Sequence, residues 1–206
     1  MSNIKKIYNL IYRRLHWSIA IIIISLLIAG QQFNWDISNA HRAWGLTAHS
    51  TLGILVLCIA LLLIVYRFIL RAPTPKPNLP LLKLLMAKTV QLCLYGLAIA
   101  IPVTGIACAL HSEQPVYVLG VFNLSGLQVS IAENFNTFRN IHTYATQIAI
   151  ALVLCHAGAA LYHHFIKKDS VLKSMAASDP LIMRLFNILI EKSGRKSKAR
   201  KQDNLA

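Results

Sequence analysis

Between residues 141 and 165 the chain carries no Asp, Glu, Lys or Arg, yet four histidines, His142, His156, His163 and His164, interrupt the run. At about 1.5 Å rise per residue, an uncharged segment of this length crosses a hydrocarbon layer of about 30 Å as a helix. The surrounding stretch, RNIHTYATQIAIALVLCHAGAALYHHFIKK at 139–168, begins and ends in basic residues, as a membrane helix does at its two surfaces. His142 and His156 are fourteen residues apart, close to four turns, so they share one face and lie roughly 21 Å apart along the axis. His163 falls on nearly the same stripe, and His164 is rotated off it. Polar side chains are costly in lipid, so such a stripe requires partners on other helices.

Residues 15–30, 44–66 and 89–110 form three further apolar runs. Between the second and third, residues 67–88 carry Pro73, Pro75, Pro77 and Pro80, which cannot continue a helix, together with five Lys or Arg. Inside the third run, Pro102 with Gly105 predicts a kink. Residues 111–139 read as a longer polar connection containing Glu113 and Glu133, with room for a short surface helix. A basic start before an apolar run also describes a secretory signal. The end of that run, LLIAGQQFNW, offers no A-x-A cleavage site, so it is read as a retained span.

The basic residues orient the bundle. Four lie in the amino-terminal segment, five in the proline-rich loop and ten in the carboxyl-terminal tail, whereas the two opposite loops hold only Arg42 and Arg139. The positive-inside rule then places both termini in the cytoplasm. The expected fold is an all-α membrane protein, a four-helix transmembrane bundle with both termini cytoplasmic. Residues 1–175 form one domain, and residues 176–206 a basic amphipathic or partly disordered cytoplasmic tail suited to an anionic leaflet. The formal charge of +14, which in a soluble chain suggests nucleic acid, follows from this topology; membrane lipid is the expected partner and nucleic acid is not. Cys58, Cys93, Cys108 and Cys155 each sit in an apolar run without metal-ligand spacing and read as small core residues.

With this orientation the histidines acquire depths. His16 opens the first span at the cytoplasmic side, and His49 lies about one turn into the second span at the outer side. The fourth span runs inward, which puts His142 level with His49 and His156 level with His16. Two helices that each offer an imidazole at one depth can clamp a haem iron from both faces, so the spacing predicts two haem b groups, an inner one on His16 and His156 and an outer one on His49 and His142. Gly45 and Gly53, four residues either side of His49, would let a porphyrin approach the backbone. Any one of these histidines alone would serve equally as a structural or proton-handling residue, and a haem-free bundle carrying protons or a metal ion remains a distinct class.

The same residues resemble a known family. RLHW at 14–17, AHSTLGILV at 48–56, the APTPKP loop, IPVTG at 101–105 and above all IHT at 141–143 with CHAGAALYHHFIKKD at 155–169 are similar to the bacterial cytochrome b561 family. The resemblance covers nearly everything up to about residue 175. It implies a four-helix inner-membrane protein with two b-type haems, held by His16 and His156 on the inner side and by His49 and His142 on the outer side. Near the start of the third span, where the family leads one to expect a histidine, this chain has Lys88 and Gln91.

An iron with two imidazole ligands has no open position, which suits outer-sphere electron transfer rather than oxygen binding. The resemblance implies superoxide oxidation at the periplasmic face with delivery of electrons to ubiquinone, an oxidoreductase activity. The alternative is a non-catalytic membrane electron-transfer subunit serving a separate dehydrogenase or periplasmic redox partner. Arg42 and Arg139 flank the outer haem and suit its propionates. For the quinone, His163 is the first candidate, since it continues the ligand stripe to the cytoplasmic edge, with Arg13 and Arg14 as neighbours. His41 and His111 fall in outer loops and read as solvated, and Trp17, Trp35 and Trp44 fit an interfacial belt.

Overall fold

The computed structural model describes residues 10–70, 80–127, 132–169 and 171–176. Four long helices dominate it: α1 (Leu10–Ala29), α2 (Asn39–Ile64), α3 (Leu81–Leu110) and α4 (Ala132–Phe165). Each is long and apolar enough to cross a membrane. A short helix, α5 (Val171–Ala176), follows α4. Lys5, Lys6, Arg71, Pro73, Pro75, Lys76, Pro77 and the tail beyond residue 176 lie outside the described residues.

The helices begin earlier than the apolar runs that announce them. Arg13 and Arg14 lie inside α1, and α3 starts directly after Pro80, so Lys83 and Lys88 are helical rather than in a loop. Pro80 needs no amide hydrogen at a helix start, and its carbonyl accepts from Leu84 N at 3.0 Å. Ser38 caps α2, its hydroxyl accepting from His41 N at 3.4 Å. The ends of a membrane-spanning helix meet headgroups and water, where charge does not oppose helix formation.

Residues 111–127 differ from the expected polar loop. The segment PVYVLGVF at 115–122 is wholly apolar and forms a hairpin, β1 (Tyr117–Val118) against β2 (Phe122–Asn123), with Tyr117 opposite Asn123 and Val118 opposite Phe122. Leu119 and Gly120 both have positive φ (55° and 73°), which reverses the chain. Val116 and Val118 are buried, and Leu119 N donates to Thr51 Oγ1 at 2.9 Å, which fastens the hairpin to α2 two residues from His49.

Tyr12, Ile19, Val56, Ala60, Leu63 and Ala98 make the core where α1, α2 and α3 meet. Elsewhere the helices turn large apolar side chains outward: Ile28 is 70% exposed, Leu92 65% and Leu154 68%. Such a continuous apolar girdle is unfavourable in water and favourable in lipid. The fold is a helical membrane bundle.

Candidate functional site

Close backbone packing joins α1 to α2, α2 to α3 and α3 to α4. The helix pairs that carry facing histidines, α1 with α4 and α2 with α4, lack comparable packing among the described residues. Across these looser seams His16 faces His156 and His49 faces His142, with ring centroids 6.3 Å apart in both cases. A metal–imidazole bond is about 2 Å, and the ring nitrogen adds about 1.1 Å to the centroid, so two imidazoles on opposite sides of one metal ion have centroids about 6 Å apart. The two pairs therefore fit a bis-imidazole centre. The rings are already poised at that separation.

Hydrogen bonding points the same way. His142 Nδ1 lies 3.0 Å from the Ile101 carbonyl and 3.1 Å from Thr104 Oγ1. A carbonyl only accepts, so Nδ1 carries the proton and Nε2 keeps its lone pair, the tautomer a metal-ligating histidine adopts. His16 Nδ1 and His49 Nδ1 are buried without hydrogen-bond partners among the described residues. At these two rings no described protein group fixes a proton on Nδ1 as the Ile101 carbonyl does at His142. No group of three or more His, Cys, Asp or Glu side chains converges among the described residues. Two imidazoles per site suit a macrocycle that brings its own equatorial nitrogens better than a bare ion.

The glycines divide by role. A Cβ at Gly53 would meet nothing within 4 Å, so the space one turn below His49 is open. At Gly45 a Cβ would meet Gln32 Nε2 at 3.1 Å and Phe33 Cε1 at 3.3 Å, so this glycine makes room for Phe33, whose ring stands edge-on to His49 at 5.6 Å. At Gly105 the obstacle would be His142 itself, with Cε1 at 3.2 Å. The IPVTG segment of α3 thus supplies a carbonyl, a hydroxyl and a missing side chain, all to one ring.

Arg42 donates to the carbonyls of Phe33 and Trp35, at 3.3 and 3.4 Å, and so ties the 3-10 turn after α1 (Gly30–Asn34) to the start of α2. Arg139 is exposed and lies three residues before His142, on its face of α4. Trp35 and Trp44 are exposed near the ends of α1 and α2. His41 is exposed and bonded to Ser38. His111 is not simply solvated: it is half-buried at the end of α3, bonded to the Ala107 carbonyl at 2.8 Å, with its ring 5.1 Å from that of Phe138.

At the other end His163 pairs with Asp169, Nδ1 to Oδ2 at 2.5 Å. Arg14 is exposed, whereas Arg13 is buried. Asp169, Thr104 and Phe33 do not figure in the sequence-based site. Asp169 had a signal, being the one acid in the basic stretch 163–173; Thr104 and Phe33 had none without knowledge of which helices adjoin.

Residues 7–177 match the family model described as prokaryotic cytochrome b561. The chain is 27% identical over 178 residues to cytochrome b561 homolog 2 of Escherichia coli K12, covering 84% of this chain and 93% of that protein. It is 30% identical over 165 residues to cytochrome b561 homolog 1 of the same strain, covering 78% and 92%. It is 27% identical over 174 residues to a Yersinia pestis protein named probable superoxide oxidase CybB, covering 82% and 96%.

Proposed function

We propose the following reading for a chain that belongs to the prokaryotic cytochrome b561 family: a di-haem carrier that takes electrons from periplasmic superoxide and passes them to ubiquinone. Membership makes it a bacterial membrane protein that binds b-type haem and transfers electrons. Two haems, superoxide as donor and ubiquinone as acceptor extend that. So do an inner-membrane location, both termini in the cytoplasm, four passes and a di-haem domain ending near residue 175. The observation that carries the reading is the pair of facing imidazoles repeated at two depths, each 6.3 Å centre to centre.

His16 with His156 and His49 with His142 would hold the two haems, which when bound supply reversible one-electron chemistry. With two imidazoles offered at each site, the protein side chains would leave no position open to dioxygen, which suits outer-sphere electron transfer. Ile101 O and Thr104 fix the orientation of His142. Two superoxide anions lose one electron each to become dioxygen, and one ubiquinone gains two electrons and two protons to become ubiquinol. Arg42 and Arg139 stand at the donor end, where cations favour an approaching anion and haem carboxylates.

The protons enter at the cytoplasmic end. Asp169 accepts from His163 Nδ1–H and fixes the ring, so that a proton carried on Nε2 of the same ring is the one that can be donated to a quinone carbonyl, with Arg13 and Arg14 at the same end of α1. Detergent-purified protein tests the whole reading. The expected result is two low-spin b haems per chain by pyridine haemochrome, reduced by a superoxide source and reoxidised by ubiquinone. Haems that superoxide fails to reduce would leave a membrane electron-transfer subunit for another donor, and one haem or none would break the two-pair assignment.

A further inference from the structure

Arg13 is the buried charge at the cytoplasmic end that the histidine pairs do not explain. It is 5% exposed, and its Nε and Nη1 are buried without hydrogen-bond partners among the described residues. It precedes His16 by three residues on α1, so the two side chains project from one face, Arg13 about 4.5 Å nearer the amino terminus. The residues that flank this face are both fastened. Tyr12 shares a hydrogen bond of 2.6 Å with Tyr95 of α3, and Trp17 Nε1 donates to the Met175 carbonyl of α5 at 3.1 Å. Arg13 is thus buried on the face of α1 that carries His16, while Arg14, one position on, is exposed.

A guanidinium stays charged at every physiological pH, and burying it without an anion is strongly unfavourable. Asp169, the carboxylate described at this end, is bonded to His163. A neutral quinone carbonyl accepts a hydrogen bond but does not offset a permanent charge. A haem brings two propionates, and a carboxylate matches the guanidinium fork with two parallel bonds.

We infer that Arg13 holds a propionate of the haem clamped by His16 and His156, and thereby sets the potential of that haem above the value it would have without the cation. The inference rests on the di-haem reading given above. It separates the two arginines of α1, Arg13 serving the haem and Arg14 remaining at the quinone end. A unit charge about 10 Å from the iron, in a medium of effective dielectric about 20, changes the ratio of oxidised to reduced haem about seventeenfold, which is about 70 mV for one electron.

The test uses the full chain in detergent, as wild type, Arg13→Gln and Arg13→Lys, with haem per chain, a potentiometric titration and the propionate bending band in the resonance Raman spectrum as readouts. The expected result is that Arg13→Gln lowers one of the two midpoints by about 70 mV and moves the propionate band. Arg13→Lys, which keeps the charge and loses the fork, holds the midpoint near wild type yet still moves the band. A His49→Ala background, which leaves the inner haem alone, identifies the shifted midpoint. Wild-type protein without haem would defeat the di-haem reading itself. Haem-replete Arg13→Gln with both midpoints and the Raman band unmoved would overturn the assignment, whether the loss then appears in the KM for quinone or in co-purified anionic phospholipid. Should Arg13→Gln fail to accumulate, an unmoved propionate band in Arg13→Lys overturns it equally.

Discussion

Replacing Gly105 by alanine is the sharpest probe of how α3 serves the outer histidine pair. The added methyl would stand 3.2 Å from His142 Cε1 and 3.5 Å from Nδ1. Carbon contacts are comfortable from about 3.5 to 4.0 Å, so the ring must retreat by roughly 0.3–0.8 Å. Its bonds to Ile101 O and Thr104 Oγ1, now 3.0 and 3.1 Å, would be carried past the useful range of about 3.2 Å. Losing a buried hydrogen bond costs about 1–3 kcal/mol, and the helix recovers up to about 1 kcal/mol from removing a glycine. The helix gain is spread over α3, whereas the loss falls on His142. Haem binding at the outer pair should weaken by about 1–2 kcal/mol, about fivefold to thirtyfold. Titrating apoprotein with haem and resolving the weaker equivalent measures this. Gly96→Ala in the same helix is the control, since a Cβ there meets nothing within 4 Å. If both variants bind two haems with equal affinity, the steric argument is wrong.

Further outcomes follow from the same geometry. His49→Ala or His142→Ala should remove the outer haem and leave the inner one, a difference visible as half the wild-type haemochrome; two haems in either variant would refute the pairing. Thr104→Val removes one of two acceptors around His142 Nδ1 and should weaken the outer haem by about 1 kcal/mol, while Thr104→Ser restores it; equal affinities across the three proteins would rule out a role for the hydroxyl. Asp169→Asn should leave haem content intact and slow reoxidation by ubiquinone about tenfold or more, since His163 then loses the carboxylate that fixes its ring. An unchanged rate in stopped-flow reoxidation would remove His163 and Asp169 from the proton path.

Hydropathy and period carried much of this architecture in the sequence because both are local properties. Four apolar runs became four long helices, and the fourteen-residue interval between His142 and His156 needed only the pitch of a helix. The facing of His16 with His156 followed from depth once basic residues had suggested an orientation. What was not legible depends on which helices adjoin. Ile101 and Thr104 reach His142 across 41 and 38 residues of sequence, and IPVTG read as the site of a kink and as part of the family resemblance, not as a contact of His142. Helix ends were missed for a different reason: a hydropathy window stops at Arg14 or Lys88, whereas the backbone stays helical through the interface. The hairpin at Tyr117–Asn123 was missed because two-residue strands are too short to show a period.

The packing order explains why α3, which supplies no histidine to either pair, governs both seams. The buried core lies between α1, α2 and α3, and among the described residues the membrane-length helix on which α4 packs closely is α3. Yet α4 carries one member of each pair. Its register against His16 and His49 is therefore transmitted through α3, and at the outer pair through the ring of His142, which α3 holds directly at Ile101 and Thr104. A bundle closed tightly on all sides would bury more apolar surface but would leave no room between facing imidazoles. On the di-haem reading, loose packing of α1/α4 and α2/α4 with α3 anchoring α4 would leave room for two haems, whose large apolar faces replace the forgone contacts. On this argument, haem removal should loosen α4 before the α1–α2–α3 core, and hydrogen exchange of the apoprotein should show protection lost first at residues 140–160.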